Sequence, residues 1–166
     1  MHLRPCEASD LDAITDAEGG AFNGMSHSGA LLIVRNLSPT ACTIPAIPQL
    51  TLLDAQGKPL AATPDLPGAR FMHPGPVVLP IPVAPNAEVT ATLRWVSGPV
   101  YTENLCIDAA HLAVSIGKAK LQTQLGGHLC GERAKGVHYD LTRFATDPVY
   151  KPDPTPQLAS TRPSTR

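Results

Sequence analysis

Short apolar runs separated by turn residues recur along the chain, and several of them alternate between apolar and polar positions. In the clearest example, Glu88 to Val96, one face carries Val89, Ala91, Leu93 and Trp95, and the other carries Thr90, Thr92 and Arg94. A period of two residues places neighbouring side chains on opposite faces of a β-strand. The segment is therefore predicted to be a strand, and Trp95 is predicted to lie in the core because it shares a face with apolar neighbours.

Three segments in the first half also predict strands. Ala30 to Val34 is continuously apolar and ends before a turn at Ser38-Pro39, which is typical of a central strand. Gln49 to Asp54 alternates, and Gly57 supplies a turn glycine, so a hairpin returning through Pro59-Leu60 is predicted. Pro76 to Val83 carries prolines at 76, 80 and 82, which lack the amide hydrogen that a ladder needs, and it is predicted to lie at a sheet edge.

The second half predicts a further hairpin. Leu112 to Ile116 alternates clearly, Lys120 to Gln124 alternates more weakly, and Gly117 lies between them. Near the N-terminus, Asp10 to Ala17 fits a short helix with Ser9 as N-cap or an extended strand, and the pattern leaves both open. Short strands at close spacing are typical of an all-β sandwich or barrel.

Composition supports this fold class and excludes some partners. The 18 prolines and 13 glycines among 166 residues argue against long helices, so helix content below about one-fifth is predicted. A formal net charge of -1, without a run of Lys and Arg, argues against nucleic acid and anionic membranes as partners. No segment has the length of a membrane span. Residues 1–145 are predicted to form the β-sandwich domain, and the proline-rich residues 146–166 a free tail.

Four cysteines place the protein in an oxidising compartment. Cys6, Cys42, Cys106 and Cys130 form no C-x-x-C pair and no zinc-type spacing with histidine, so two disulfides are predicted. Disulfides persist in the periplasm or outside the cell. Because Met1 to Pro5 lacks the apolar region of a signal peptide, we expect a signal peptide or lipid anchor to have preceded this sequence. The alternative is four reduced cysteines buried in a cytosolic protein.

Sequence order favours one disulfide pairing, Cys6 with Cys42 and Cys106 with Cys130, among the three that four cysteines allow. The N-terminal segment that carries Cys6 has no evident sheet partner, and a bridge to Cys42 would fix it. Cys106 and Cys130 flank the hairpin predicted to turn near Gly117, which would bring them side by side.

Several stretches between residues 6 and 132 resemble a bacterial family known as domain of unknown function 4232. They are LLIVRNLSPTACTIPAIP at 31–48, LLDAQGKPL at 52–60, VAPNAE at 83–88, LRW at 93–95, Cys106, and CG at 130–131, together with a cysteine near the start. The resemblance implies an immunoglobulin-like antiparallel β-sandwich with two disulfides, and it points to the same pairing. It also implies a secreted or lipid-anchored protein, and it implies no activity.

Catalytic motifs are not convincing in this sequence. GMSHSG at 24–29 departs from the nucleophile elbow G-x-S-x-G at its fifth position, and acidic residues are scattered singly rather than in pairs. The sequence therefore predicts no enzyme and no cofactor. It predicts an exported, periplasmic or secreted, non-catalytic binding or structural module of the cell envelope, whose partner is a protein, peptide or glycan. An enzyme with an unrecognised site is a further alternative.

The main alternative is a small periplasmic copper-binding protein. Met25 and His27 in one loop, with Met72 and His73 in another, provide the thioether and imidazole ligands that suit Cu(I). His111, His128 and His138 stand alone and are interpreted as surface or rim residues. Tyr101 is expected to be an exposed loop aromatic that, with Phe22 and Phe71, marks a binding surface.

The copper hypothesis predicts that Met25→Ala, Met72→Ala weakens Cu(I) binding, because the soft thioether ligands are lost together. A competition titration against a Cu(I) chelator measures the affinity of the wild-type and double-variant proteins. Equal affinities would contradict the hypothesis.

Overall fold

The computed structural model describes residues 3–66 and 79–146, and the regular secondary structure of these residues is almost entirely β-strand. The ten strands are β1 Leu11–Asp16, β2 His27–Asn36, β3 Cys42–Ile44, β4 Gln49–Leu53, β5 Thr63–Asp65, β6 Ile81–Val83, β7 Glu88–Val96, β8 Asn104–Ile116, β9 Ala119–Glu132 and β10 His138–Leu141. Strands account for 57% and helix for 5% of the described residues, which confirms the all-β prediction and agrees within these ranges with the predicted limit on helix content. No helix in the described ranges is long and apolar enough to cross a membrane.

The strands form three sheets. Five strands pair in the order β1-β2-β7-β10-β5, three in the order β4-β8-β9, and β3 pairs with β6 alone. All pairs are antiparallel except β5 with β10, which is parallel. The predicted central strand lies within β2, between β1 and β7, and the predicted alternating strand has the bounds of β7.

One hydrophobic core joins the five-stranded and three-stranded sheets. Leu32 and Leu93 come from the first sheet, Leu112 and Leu129 from the second, and all four are fully buried. Burial of a leucine side chain contributes roughly 1.5–3 kcal/mol, so these residues provide a large part of the stability. Trp95 is also buried, as predicted.

Two hairpins were predicted, and the structure contains one of them in full. β8 and β9 pair antiparallel around the turn at Gly117, whose positive φ of 61° suits glycine. Both strands extend well beyond the predicted segments, and a register shift lies between Ala109 and His111. After β4 the chain does turn at Gly57, but only an isolated bridge between Leu53 and Pro59 follows, and the ladder partner of β4 is β8.

The remaining segment predictions have mixed outcomes. The undecided N-terminal segment is strand β1, and Ser9 lies inside a 3-10 helix, Ala8–Asp10, rather than at an N-cap. Within the predicted edge segment, Ile81–Val83 forms β6 in the two-stranded sheet, and positions 76–78 lie outside the described residues. The predicted tail lies outside them too, except for Thr146.

Both predicted disulfides are present, Cys6 with Cys42 and Cys106 with Cys130, and no cysteine is free. The alternative of four reduced cysteines is therefore wrong. The first bridge fixes the N-terminal segment, as expected, and the Cys6 amide strengthens this attachment by donating to the Thr43 carbonyl at 2.9 Å. The Arg4 guanidinium donates a hydrogen bond of 2.6 Å to Oδ2 of Asp10. This hydrogen bond holds the pKa of the Asp10 carboxyl below its usual value.

Asn36 is a fully buried polar residue at the end of β2, and its side chain uses its full hydrogen-bonding capacity. Its amide nitrogen donates to the carbonyls of Thr40 at 2.9 Å and Val83 at 3.0 Å. Its oxygen accepts from the amide of Ser38 at 2.9 Å and from the hydroxyl of that residue at 2.8 Å. The side chain therefore ties the turn after β2 to strand β6.

Asn36→Ala is expected to lower the free energy of unfolding by about 2–4 kcal/mol, because buried carbonyls lose their donors. Urea denaturation measures the change. Gln122→Ala, on the exposed side of β9, serves as the control and is expected to stay within about 0.5 kcal/mol of wild type. Equal stability of the two variants would contradict the role assigned to Asn36.

Candidate functional site

An open cavity of about 670 Å³ lies where β7, the end of β9 and β10 meet. Strand β7 contributes residues 94–96 to the wall, among them Arg94 and Trp95, and β10 contributes residues 138–140. The end of β9 and the loop after it supply residues 130–132, 135 and 136, and His27, Asp65 and Tyr101 complete the lining. Most of these residues come from strands, so the sheet holds the site in place.

The lining carries charges of both signs. His138 Nδ1 lies 3.1 Å from an Asp65 carboxylate oxygen, and Lys135 Nζ lies 3.9 Å from one of Glu132. Arg94 is exposed and makes no ion pair within residues 3–66 and 79–146. Its guanidinium is therefore available to bind an anionic group of a ligand.

Two aromatic side chains of the wall are buried together with their polar atoms. Trp95 and Tyr139 stand directly opposite each other on β7 and β10, which places their side chains on the same face. The indole Nε1 and the phenol hydroxyl are both buried and find no hydrogen-bond partner in the described part of the chain. Each such group costs about 1–3 kcal/mol, and burial raises the pKa of Tyr139 to about 12.

Gly127 on β9 makes room for the Trp95 ring. A Cβ at position 127 would lie only 2.9 Å from Cζ2 of the indole. Any other residue at this position would displace the ring that forms part of the cavity wall.

A second cluster surrounds the disulfide of the β8–β9 hairpin. Cys106 and Cys130 are directly opposite in the ladder, and Asp108 and His128 are directly opposite two residues further along the strands. His128 Nδ1 lies 2.7 Å from Asp108 Oδ1, and its Nε2 lies 3.6 Å from Cys130 Sγ. One atom each of Cys106, His128 and Cys130 falls within 4.8 Å of the others, a spacing that suits a metal ion. The sulfurs are bonded to each other, however, and cysteine binds metals as the free thiolate.

The four predicted copper ligands fall partly outside the described residues. Met25 is 91% exposed, and its carbonyl lies 2.8 Å from Nδ1 of His27. Met72 and His73 lie outside the described residues, so the convergence of the two loops stays a prediction.

The other singled-out residues are mostly where the sequence predicted them. Tyr101 is exposed, Phe22 is half-buried, and Phe71 lies outside the described residues. His128 and His138 lie at the surface as expected, and His111 is half-buried. The sequence interpretation of isolated histidines missed that His128 and His138 each pair with an aspartate.

The cluster around His128 could have been found from the sequence. Cys106 and Asp108 are two positions apart, as are His128 and Cys130, so each pair shares one face of a strand. Once Cys106 is placed opposite Cys130, antiparallel register puts Asp108 opposite His128. The cavity has no comparable signal, because its lining comes from six separate parts of the chain.

Fold and disulfides together define a disulfide-stabilised, predominantly antiparallel all-β domain. The family model described as a domain of unknown function, DUF4232, matches residues 6–149, and the chain belongs to this family. Comparison with curated proteins and with solved structures gives no match.

Stability above pH 10 is expected to depend on Tyr139. Its pKa is about 12 in the folded protein and about 10 when unfolded, so the folded state keeps the proton more strongly. The resulting contribution to the free energy of unfolding is fully present below pH 10, and about 2–3 kcal/mol of this free energy is lost as the pH rises to 12. Urea denaturation at several pH values is expected to show this loss in wild type and a flatter dependence in Tyr139→Phe. Parallel curves for the two proteins would contradict the expectation.

Proposed function

We propose that the protein is an exported, non-catalytic binding module of the bacterial cell envelope, periplasmic or secreted, and that the cavity at β7 and β10 is its binding site. The observation that carries this proposal is the unpaired guanidinium of Arg94 at a cavity whose wall also holds two buried polar groups without partners among the described residues. Within the described ranges, the folded protein loses stability where the buried polar atoms of Trp95 and Tyr139 have no hydrogen-bond partner, and it gains no ion pair from Arg94. Binding a ligand is a physical reason to keep such an arrangement.

The lining favours a protein or peptide partner over a neutral glycan. Asp65, Glu132 and Asp140 are acidic, Arg94 and Lys135 are basic, and they surround one opening. Fully charged groups of both signs match the charged side chains and termini of a polypeptide. A carboxylate on the partner would pair with Arg94 through two parallel hydrogen bonds.

The two disulfides support an exported location. Both bridges are formed, and such bonds persist in oxidising compartments. Each bridge closes a loop, and the chain-entropy model gives roughly 3–4 kcal/mol of stabilisation of the folded state for a loop of this length. A reducing compartment would therefore remove much of the stability of the domain.

The proposal predicts that Arg94→Glu abolishes partner capture from a native envelope fraction, because the substitution places a negative charge where the partner presents a carboxylate. Wild type and variant are immobilised side by side, and specifically retained proteins are identified after elution with salt, which weakens exposed ion pairs. Arg94 is exposed, so the variant is expected to fold normally.

Lys120→Glu is the matched control, since it makes the same charge change on the exposed side of β9 and away from the cavity. It is expected to retain the partners of wild type. Loss of the same partners in both variants, or no specific capture by wild type, would contradict the proposal.

A further inference from the structure

The two disulfides differ in how they are exposed. Both sulfur-bearing residues of the Cys6–Cys42 bridge are buried, at 5% and 0% exposure. In the other bridge Cys130 is 2% exposed, whereas Cys106 is an exposed residue on the open face of the hairpin. Cys106 is therefore the more accessible half of the second bridge, and we expect a thiolate from solution to attack on that side.

The protected sulfur of this bridge has an imidazole ring beside it. His128 Nε2 lies 3.6 Å from Cys130 Sγ, and the Asp108 carboxylate binds the opposite ring nitrogen at 2.7 Å. A protonated imidazole donates from both nitrogens, so one hydrogen is directed at the carboxylate and the other at the sulfur. Cationic neighbours stabilise a cysteine thiolate, and a stabilised thiolate is the better leaving group in disulfide exchange.

We propose that the Cys106–Cys130 bridge is a thiol–disulfide exchange site, with His128 as the acid for the leaving sulfur and Asp108 as its positioning residue. The co-reactant is a dithiol protein or a small-molecule thiol. This proposal does not rest on the binding role proposed above. Each protein molecule carries one such bridge and exchanges it once, so one co-reactant dithiol, or two monothiols, is oxidised per molecule.

The exchange proceeds in two balanced steps. A thiolate of the co-reactant attacks Cys106 Sγ, a new S–S bond forms there, and the Cys106–Cys130 bond breaks. The electron pair of the broken bond goes to Cys130 Sγ, which takes the proton from His128 Nε2. A second thiolate of the co-reactant then attacks the co-reactant sulfur that is bonded to Cys106, and Cys106 leaves as a thiolate. The co-reactant is thereby oxidised to a disulfide by two electrons, and the bridge is reduced by two.

The surrounding ladder can hold the hairpin together while the bridge is open. Strands β8 and β9 remain paired from Ile107 with Leu129 to Ile116 with Ala119, and on the other side of the bridge from Leu105 with Gly131 to Asn104 with Glu132. The reduced hairpin therefore has its backbone hydrogen bonds on both sides of the two cysteines.

The test measures which sulfur is attacked and how fast. Oxidised protein is treated with glutathione, free thiols are alkylated, and peptides are mapped over time. We expect glutathione on Cys106 and the alkyl group on Cys130, with the bridge opening at least about tenfold faster than Cys6–Cys42 in the same molecules. Glutathione mainly on Cys130, or equal opening rates of the two bridges, would overturn the proposal.

Variants separate a chemical role of His128 from a structural one. His128→Ala is expected to slow opening of its own bridge about tenfold and to shift its equilibrium in a glutathione redox buffer toward the disulfide, with the Cys6–Cys42 rate unchanged. Asp108→Asn is expected to give an intermediate rate and an intermediate equilibrium constant, and Asp108→Glu to restore both. His111→Ala, in the same hairpin but opposite Gln124, is the control and is expected to match wild type. An unchanged rate and equilibrium in His128→Ala, or the same change in His111→Ala, would overturn the role of His128.

Discussion

The buried residue Asn36 holds together parts of the chain on which the cavity at β7 and β10 depends. Besides its side-chain bonds, its backbone amide donates to Ala87 at 3.0 Å, and its carbonyl accepts from Asn86 at 2.7 Å. One residue thus fixes the end of β2, the turn that leads to Cys42, and the turn that leads into β7. Since β7 carries Arg94 and Trp95 to the cavity, the position of the cavity wall follows from contacts made at the opposite end of that strand.

Neighbouring contacts hold the local structure together at both the cavity and the hairpin disulfide. At the cavity, buried polar atoms of Trp95 and Tyr139 give up hydrogen bonds within a wall that apolar packing keeps rigid. At the hairpin, the bridge lies among backbone hydrogen bonds that hold the strands without it. In both places the surrounding contacts, rather than the polar or sulfur groups themselves, hold the local structure together.

The sequence predicted those features that depend on local pattern. β7 and β2 could be predicted because their apolar positions are strongly periodic or continuous, and the disulfides because the cysteines flank predicted strands. The full length of β9 could not, because Gly126 and Gly127 interrupt its pattern, although Gly127 is required there by the Trp95 ring. The cavity could not be predicted either, since it depends on pairing between β5 and β10, two short strands whose segments carry little periodicity.

The parallel pairing of β5 with β10 has a consequence for the order of folding. His138 and Asp65 meet across 73 positions of the chain, whereas β8 and β9 are joined by a turn at Gly117. Closing the longer loop costs about 4 kcal/mol of chain entropy before any contact compensates for it, so we expect the hairpin to form before this edge. We therefore expect the cavity wall to be complete only after β5 and β10 have paired across the rest of the chain.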